Sequence, residues 1–553
     1  MLLKKVFIEL LTQAVTKAQQ SGLLPEFTLP EIAIEHPQDA KHGDYASSIP
    51  LKLASETKTN PLTTANELIN LMPPAPEIAD IVAAPPGFIN FTLADDWLTQ
   101  QVNSILQAGD TYGNIDVGQG KKVQIEFVSV NPTGPLHVGH GRGAILGSTL
   151  ASVLTAAGYH VEKEYFINDA GSQIDTFYQS LYARYQQRFG INAEIPSDGY
   201  QGRYLIDMAK EIITEGVRNF QNLPKTEVMS QLGQLGLEKM ISKIKADLEL
   251  LRVTFDVWFS ERSLFDNGQY QQAMKMLEQS GYMSEKDDAT WFISTSLGED
   301  KDNVLVRNDG TPTYFASDIA YHYNKFEERR FDQVIDIWGA DHQGHVPRMK
   351  AALSALGTDP NRLEVIISQM VTLRRRGELV RVSKRTGDII TLKDLVDEVG
   401  ADACRFFFLS RSADSQMDFD LELAKKQSAD NPVYYVQYAH ARIASILRLA
   451  KEKKLAYDDA DVSLLTTEPE LTLIRKMLLL PEIVEMIAQQ LEPHHLAYYA
   501  QDLATVFHSF YKQCRVVSQD KPLTKARLTL VKTAKTVLGK TLNLMGMTAP
   551  DEM

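Results

Sequence analysis

The chain has 553 residues, of which 44% are hydrophobic and 23% charged, with a formal net charge of −14 at pH 7. That length points to about three to four domains of roughly 100–200 residues each, and the acidic balance argues against a generic polyanion binder. No apolar run reaches about 18 residues, which argues against a membrane span, and two cysteines far apart, Cys404 and Cys514, argue against a disulfide framework or a thiolate zinc site and fit a reducing cytoplasm.

The first twenty residues, MLLKKVFIELLTQAVTKAQQ, carry Glu9 inside their apolar stretch and have no small-residue cleavage site. They read as an amphipathic helix and not as a signal peptide. A proline-rich stretch (Pro73, Pro74, Pro76, Pro85, Pro86) precedes a strand-like FINFTL, a helix and a Gly-rich link at 113–120. Residues 1–116 are therefore expected to form an α+β domain.

From Lys121 the pattern changes. VQIEFVSV reads as a buried strand, NPTGPLHVGHGRG as a loop, AILGSTLASVLTAAG as a small-residue helix and HVEKEYFI as the next strand. This is a βαβ unit opening a parallel, doubly wound sheet. From about 172 to 296 the chain is mostly helical and charged, an expected insertion. Strand signals return at DNVLVRN, FDQVIDIWGA and RLEVIISQMV. After Asp388 amphipathic helices dominate. The expected partition is a Rossmann-type α/β domain over 117–394, a helical connector over 395–430 and an all-α bundle over 431–553. Within the bundle, 512–540 holds eight basic residues and one acidic one. Lys521, Lys525, Lys532 and Lys535 fall at helical spacing on one face, either a nucleic-acid contact or a solvated face.

Two stretches carry chemistry. In NPTGPLHVGHGRG, His137 and His140 stand three residues apart at a helix start, where main-chain N–H groups and the helix dipole favour phosphate. Imidazole donors there can stabilise charge building on phosphorus. Gly139-x-Gly141-x-x-Ala144 also satisfies a permissive dinucleotide fingerprint, with Glu162 or Glu164 downstream. That reading leaves the long NPTGPL segment unexplained, because the fingerprint's turn follows its strand directly. The second stretch, RRRGELVRVSKRTG, brings Arg374, Arg375, Arg376 and Arg381 together with Ser383, Lys384 and Arg385. A cationic loop of this kind can neutralise a pyrophosphate leaving group.

HVGH resembles the first signature of class I aminoacyl-tRNA synthetases and VSKR the second. IEFVSVNPTGPLHVGHGRGAILG, YFINDAG, PTYFASDIAYH, WGADHQGHVPRMKAAL, GADACRFFFLSR, NPVYYVQYAHARI and the amino-terminal KHGDYASSIPLKLA resemble the arginyl members of that class. The resemblance covers nearly the whole chain. It implies activation of L-arginine by ATP with Mg²⁺, then transfer to the 2′-OH of the terminal adenosine of tRNA, by a cytoplasmic monomer without a structural metal. His137, His140 and Lys384 would act on the phosphates, with Ser383 and Arg385 beside them. Glu126, Ser129, Asn131, Tyr314 and Asp318 would form the arginine pocket. Gly139 would let ATP approach, and Gly339, Asp341 and His342 would border its ribose and adenine. Asp402, Ala403, Cys404 and Arg405 would begin the connection to the bundle, where Tyr434, Gln437, Tyr438 and Arg442 would meet tRNA. The second signature departs from the lysine-rich form by having Arg381 first and Arg385 last.

The arginine assignment also has a physical basis. A guanidinium presents five donors in a fixed fork and wants a carboxylate and neutral acceptors. Tyr314 and Asp318, four residues apart, would share one helix face, offering a ring for stacking and a carboxylate for pairing.

Overall fold

The computed structural model describes residues 2–216, 220, 223–380 and 390–553. The amino-terminal helix Leu3–Gln20 buries Phe7, Leu11, Ala14, Val15 and Ala18 along one stripe. It packs over a three-stranded antiparallel sheet in which Phe88–Leu93 is central. The expected α+β arrangement is present there.

The central sheet has five parallel strands: Lys122–Glu126, His160–Ile167, Val257–Ser260, Gln333–Gly339 and Leu363–Ser368. Their spatial order is fifth, fourth, first, second, third. The order in which strands are added therefore reverses between the first and fourth strands, the switch point where such sheets open a ligand crevice at their carboxyl ends. The helix Val138–Ala156 follows the first strand and starts at that opening. Its run of Ala, Gly and Ser permits close packing on the sheet. At Gly147, a Cβ would lie 2.3 Å from the Phe127 ring.

Two sequence expectations need correction. The 172–296 stretch is not purely inserted, because Val257–Ser260 pairs with Glu164–Ile167 as the third strand of the sheet. DNVLVRN does not rejoin the parallel sheet. Asn303–Val306 pairs instead in a small antiparallel sheet with Met283–Lys286 and Ala289–Phe292. Short runs such as VWFS and NVLV have the same local character, so only their distant partners distinguish them.

After residue 390 the chain is helical except for Met417–Asp420, which pairs in parallel with Val371–Arg375. The bundle contains the helices Pro432–Glu452, Glu468–Leu478, Leu480–Gln490, His494–Gln513 and Lys521–Leu544. Leu528, Val531, Leu538 and Leu542 are buried in it, as their spacing predicts.

Candidate active site

A cavity of about 1390 Å³ opens at the switch point. His137 caps the helix Val138–Ala156, and the two imidazoles close a reciprocal capping box. The Gly139 N–H donates to His137 Nδ1 at 3.1 Å, and the His137 N–H donates to His140 Nδ1 at 3.2 Å. The rings stack with centroids 3.5 Å apart. With Nδ1 accepting in both, each ring carries its proton on Nε2. Burial, aided by the neighbouring His137, pushes the His140 pKa down to about 3, so His140 is a neutral donor at physiological pH.

The loop leaving the first strand is strained. Val128 and Ser129 have φ of 71° and 39°, unusual for a β-branched residue and typical of sites where surrounding structure over-determines the backbone. The second strand supplies the restraint. The Phe166 N–H donates to Ser129 Oγ at 3.1 Å, and the Tyr165 hydroxyl donates to the Val130 carbonyl at 2.9 Å. Tyr204, from the helix Arg203–Glu215, donates to the Thr133 carbonyl. Ser129 and Asn131 consequently line the cavity, with the Asn131 amide donating to Gln173.

The opposite wall is the helix Tyr314–Tyr323, capped by Thr313, and the π-turn Asn324–Glu328 that continues it. Tyr314, Asp318, His322 and Lys325 descend one face at successive turns. Tyr314, 44% exposed, stands at the rim. Asp318 lies below it, and burial raises its pKa to about 6, with Glu126 adding to the rise and His322 and Arg348 opposing it. Beneath it, Lys325 is fully buried and donates to Glu126 Oε2 at 2.6 Å and Asp336 Oδ1 at 2.9 Å. His322 Nε2 lies 2.9 Å from Asp336 Oδ2. Burial alone would raise the Asp336 pKa, but Lys325 and His322 hold it below the usual carboxylate range. Glu126 remains raised by burial despite Lys325. Glu261, 4% exposed, faces Ser317 and Asp318, and its pKa is pushed up to about 7, chiefly by burial. Carboxyls thus outnumber cations around Asp318, an environment complementary to a cationic ligand.

Gly339 ends the fourth strand. Asp341 and His342 follow in the 3-10 turn Ala340–His345, and all three line the cavity. The structure therefore brings Glu126, Ser129, Asn131, His137, Gly139, His140, Tyr314, Asp318, Gly339, Asp341 and His342 to one cavity. Arg381, Ser383, Lys384 and Arg385 lie outside the described residues. Lys325, Glu261, Arg348 and Gln369–Leu373 also belong to the site or its support and were not singled out by sequence. Lys325 sits in NKFEERR, which reads as a charged helix end; only the π-turn directs it inward.

In the bundle, Tyr434 and Tyr438 stack at 5.8 Å, and the Arg442 guanidinium covers the Tyr438 and Tyr511 rings at 4.7 and 4.9 Å. Gln437 is 8% exposed and its amide donates to Asp402 and Thr548, so it anchors the carboxyl-terminal segment. The basic helix is also partly neutralised. Lys525 pairs with Asp459 and Lys535 with Asp551, each at 2.7 Å, whereas Lys521 and Lys532 are exposed.

Three family models match the chain: the arginyl tRNA synthetase N-terminal domain over residues 5–93, the catalytic domain of class I tRNA synthetases (R) over 101–446, and the DALR anticodon binding domain over 436–553. An arginine–tRNA ligase of Dehalococcoides mccartyi is 58% identical, with 100% of this chain and 99% of the relative aligned. One from Carboxydothermus hydrogenoformans is 47% identical over 100% of both. The arginyl-tRNA synthetase structure of Thermus thermophilus shares the fold, with a TM-score of 0.78 at 23% identity and 100% of each chain covered.

Proposed function

The chain belongs to the arginyl-tRNA synthetase family, and from that premise we propose which of its residues carry each step of arginine–tRNA ligation. The reaction activates L-arginine with ATP to arginyl-adenylate and pyrophosphate, then transfers the arginyl group to the 2′-OH of the terminal adenosine of tRNA. No residue needs to form a covalent intermediate, so catalysis is positioning and charge stabilisation.

Arginine's guanidinium enters between Tyr314 and the carboxylates of Asp318 and Glu126, while Ser129 and Asn131 meet its α-amino end. The observation that carries this assignment is the buried, excess-acid pocket around Asp318. The arginine carboxylate then faces the signature helix. There His137 and His140 donate through Nε2–H to the negative charge that develops on the α-phosphate. Gly339, Asp341 and His342 border the nucleoside, on the far side of the switch point. Lys384, by its place in the second signature, neutralises the leaving phosphates, and Ser383 and Arg385 flank it. Mg²⁺ enters on the ATP phosphates as part of the substrate. We take a monomer as the working unit. Among the described residues no helix is long and apolar enough to cross a membrane. A cytoplasmic site of action is consistent with a role in translation.

The deciding experiment is ATP–pyrophosphate exchange. Exchange is expected with arginine and to require tRNA. Exchange supported by another amino acid and not by arginine overturns the reading; exchange without tRNA overturns only the tRNA requirement.

For tRNA, the stacked Tyr434 and Tyr438 beside Arg442 offer a platform for unpaired bases, an interaction worth about 1–3 kcal/mol per base. Lys521 and Lys532 are the exposed members of the basic face, with Lys525 and Lys535 weaker contributors because Asp459 and Asp551 already hold them. Reversing Lys521 and Lys532 together to Glu is expected to weaken tRNA binding and flatten its salt dependence, by a slope of about 0.9 for each phosphate left without its lysine. Arginine affinity should not change. A salt slope identical to wild type would identify the face as merely solvated.

A further inference from the structure

Arg142 lies two residues beyond His140, in the first turns of the signature helix, and its side chain has 0% exposure. Burying a guanidinium costs several kcal/mol unless its donors are matched. Among the described residues no carboxylate is within salt-bridge distance of it, although Asp414 is near enough to favour its charged form. Main-chain carbonyls match three of its N–H donors, while the buried Nε has no hydrogen-bond partner among the described residues. Nη1 donates to Gln369 O at 2.9 Å and Ser415 O at 2.8 Å, and Nη2 to Ser412 O at 2.7 Å. Burial lowers its pKa only to about 10, so the group remains a cation at neutral pH and its hydrogen bonds are charge-assisted.

The three carbonyls mark one place in the fold. Gln369 joins the last strand of the catalytic sheet to Val371–Arg375, and Ser412 and Ser415 precede Met417–Asp420. These two strands pair in parallel from Val371↔Met417 onward. The Gln369 N–H also donates to Ala413 O at 2.9 Å. One side chain thus ties the signature helix to both strands of a ribbon at their point of entry. That ribbon is a wall of the active-site cavity: Gln369, Met370, Val371, Thr372 and Leu373 line it together with His137 and His140. Val371–Arg375 then turns through the hairpin to Glu378–Leu379 and runs on in sequence to the second signature. A second tie, independent of Arg142, holds the chain where it returns. The Leu392 N–H donates to Leu136 O at 2.8 Å, and Thr391 bridges His137. The signature helix approaches closely there, since a Cβ at Gly141 would lie 2.7 Å from Leu392.

We propose that Arg142 is a positioning residue for arginine activation: it holds the cavity wall Gln369–Leu373 in register with His137 and His140. It touches neither substrate; it sets the distance between two walls that must grip the same ATP. A displacement of about 1 Å between reacting or stabilising groups costs about 10²-fold in rate. Arginine's pocket is built from the strand-end loop at 129–131 and the helix Tyr314–Tyr323, neither of which hydrogen-bonds to Arg142.

The test uses full-length Arg142→Met, which keeps much of the side chain's reach and removes every donor, and Arg142→Lys, which keeps the charge but not the fork. Wild-type exchange, measured in parallel, tests the reaction itself. In tRNA-supported pyrophosphate exchange the methionine variant is expected to lose about 10²-fold in kcat. Its arginine Kd should stay within about threefold, since uniform binding is untouched. Hydrogen–deuterium exchange should rise at 369–375 and stay at wild-type levels in 143–156. The lysine variant should recover about tenfold of the lost rate, as one charge can still serve one or two of the carbonyls. A methionine variant with wild-type kcat overturns the proposal, and so does a parallel loss of kcat and arginine affinity. If the methionine variant does not fold, the lysine variant decides alone: a lowered kcat at unchanged arginine Kd supports the proposal, and an unchanged kcat overturns it.

Discussion

Replacing Asp318 by Asn is expected to weaken arginine binding by about 2–5 kcal/mol, the loss typical of truncating one partner of a desolvated charge pair. At about 1.4 kcal/mol per decade this is roughly 30- to 4,000-fold in Kd, while ATP affinity changes little. The cause is electrostatic. Asp318 sits above Glu126, Asp336 and Glu261, and Lys325 is already shared between Glu126 and Asp336. The pocket therefore favours one more cation beside the Asp318 carboxylate. Its pKa of about 6 adds a second signature. Arginine pairs with the ionised form, so affinity should rise as pH increases through 6 and level off above 7, falling by at most tenfold per pH unit below 6. Stability responds in the opposite sense. Without arginine, a carboxyl raised from its ordinary value near 3.8 favours the fold below that value, and this contribution is lost as pH rises through about 6. The Asp318→Asn variant should lack the Asp318 component of the pH dependence. Calorimetric titration with arginine and with ATP on the folded variant checks both parts. Equal weakening of the two ligands would remove Asp318 from the arginine pocket.

Replacing His140 by Ala is expected to lower the activation rate by about 10²–10³, as for loss of one preorganised donor to developing charge. Arginine Kd should stay near wild type because His140 lies on the phosphate side of the cavity. Its pKa of about 3 keeps the imidazole neutral, so the wild-type rate between pH 6 and 9 should show no step attributable to this residue. The variant also loses the acceptor for the His137 N–H. Pre-steady-state adenylate formation separates chemistry from binding. A fall in arginine affinity matching the fall in rate would assign His140 to the pocket's architecture instead. Lys384→Ala is expected to fall in the same range, from its place in the second signature.

The local signals in the sequence were strong wherever one segment carries its own geometry. HVGH between a strand and a small-residue helix specifies a capped helix start at the carboxyl edge of a sheet, and Tyr314 and Asp318 at i and i+4 specify a shared face. Apolar periodicity likewise determined the bundle helices and the buried seam of Lys521–Leu544. Features that need a distant partner were decided only by the tertiary structure. Val257–Ser260 became a sheet strand because the edge of His160–Ile167 was open to it. Lys325 turned inward because Glu126 and Asp336 jointly offset its desolvation. Gln437 is buried because Asp402 and Thr548 satisfy its amide. Lys525 and Lys535 had much of their field cancelled by Asp459 and Asp551, and Arg142 took three carbonyls from segments more than 200 residues away. Spacing in a sequence reports helix faces and strand alternation, which are local; a buried charge is stable only with its counter-groups, and those come from wherever the fold delivers them.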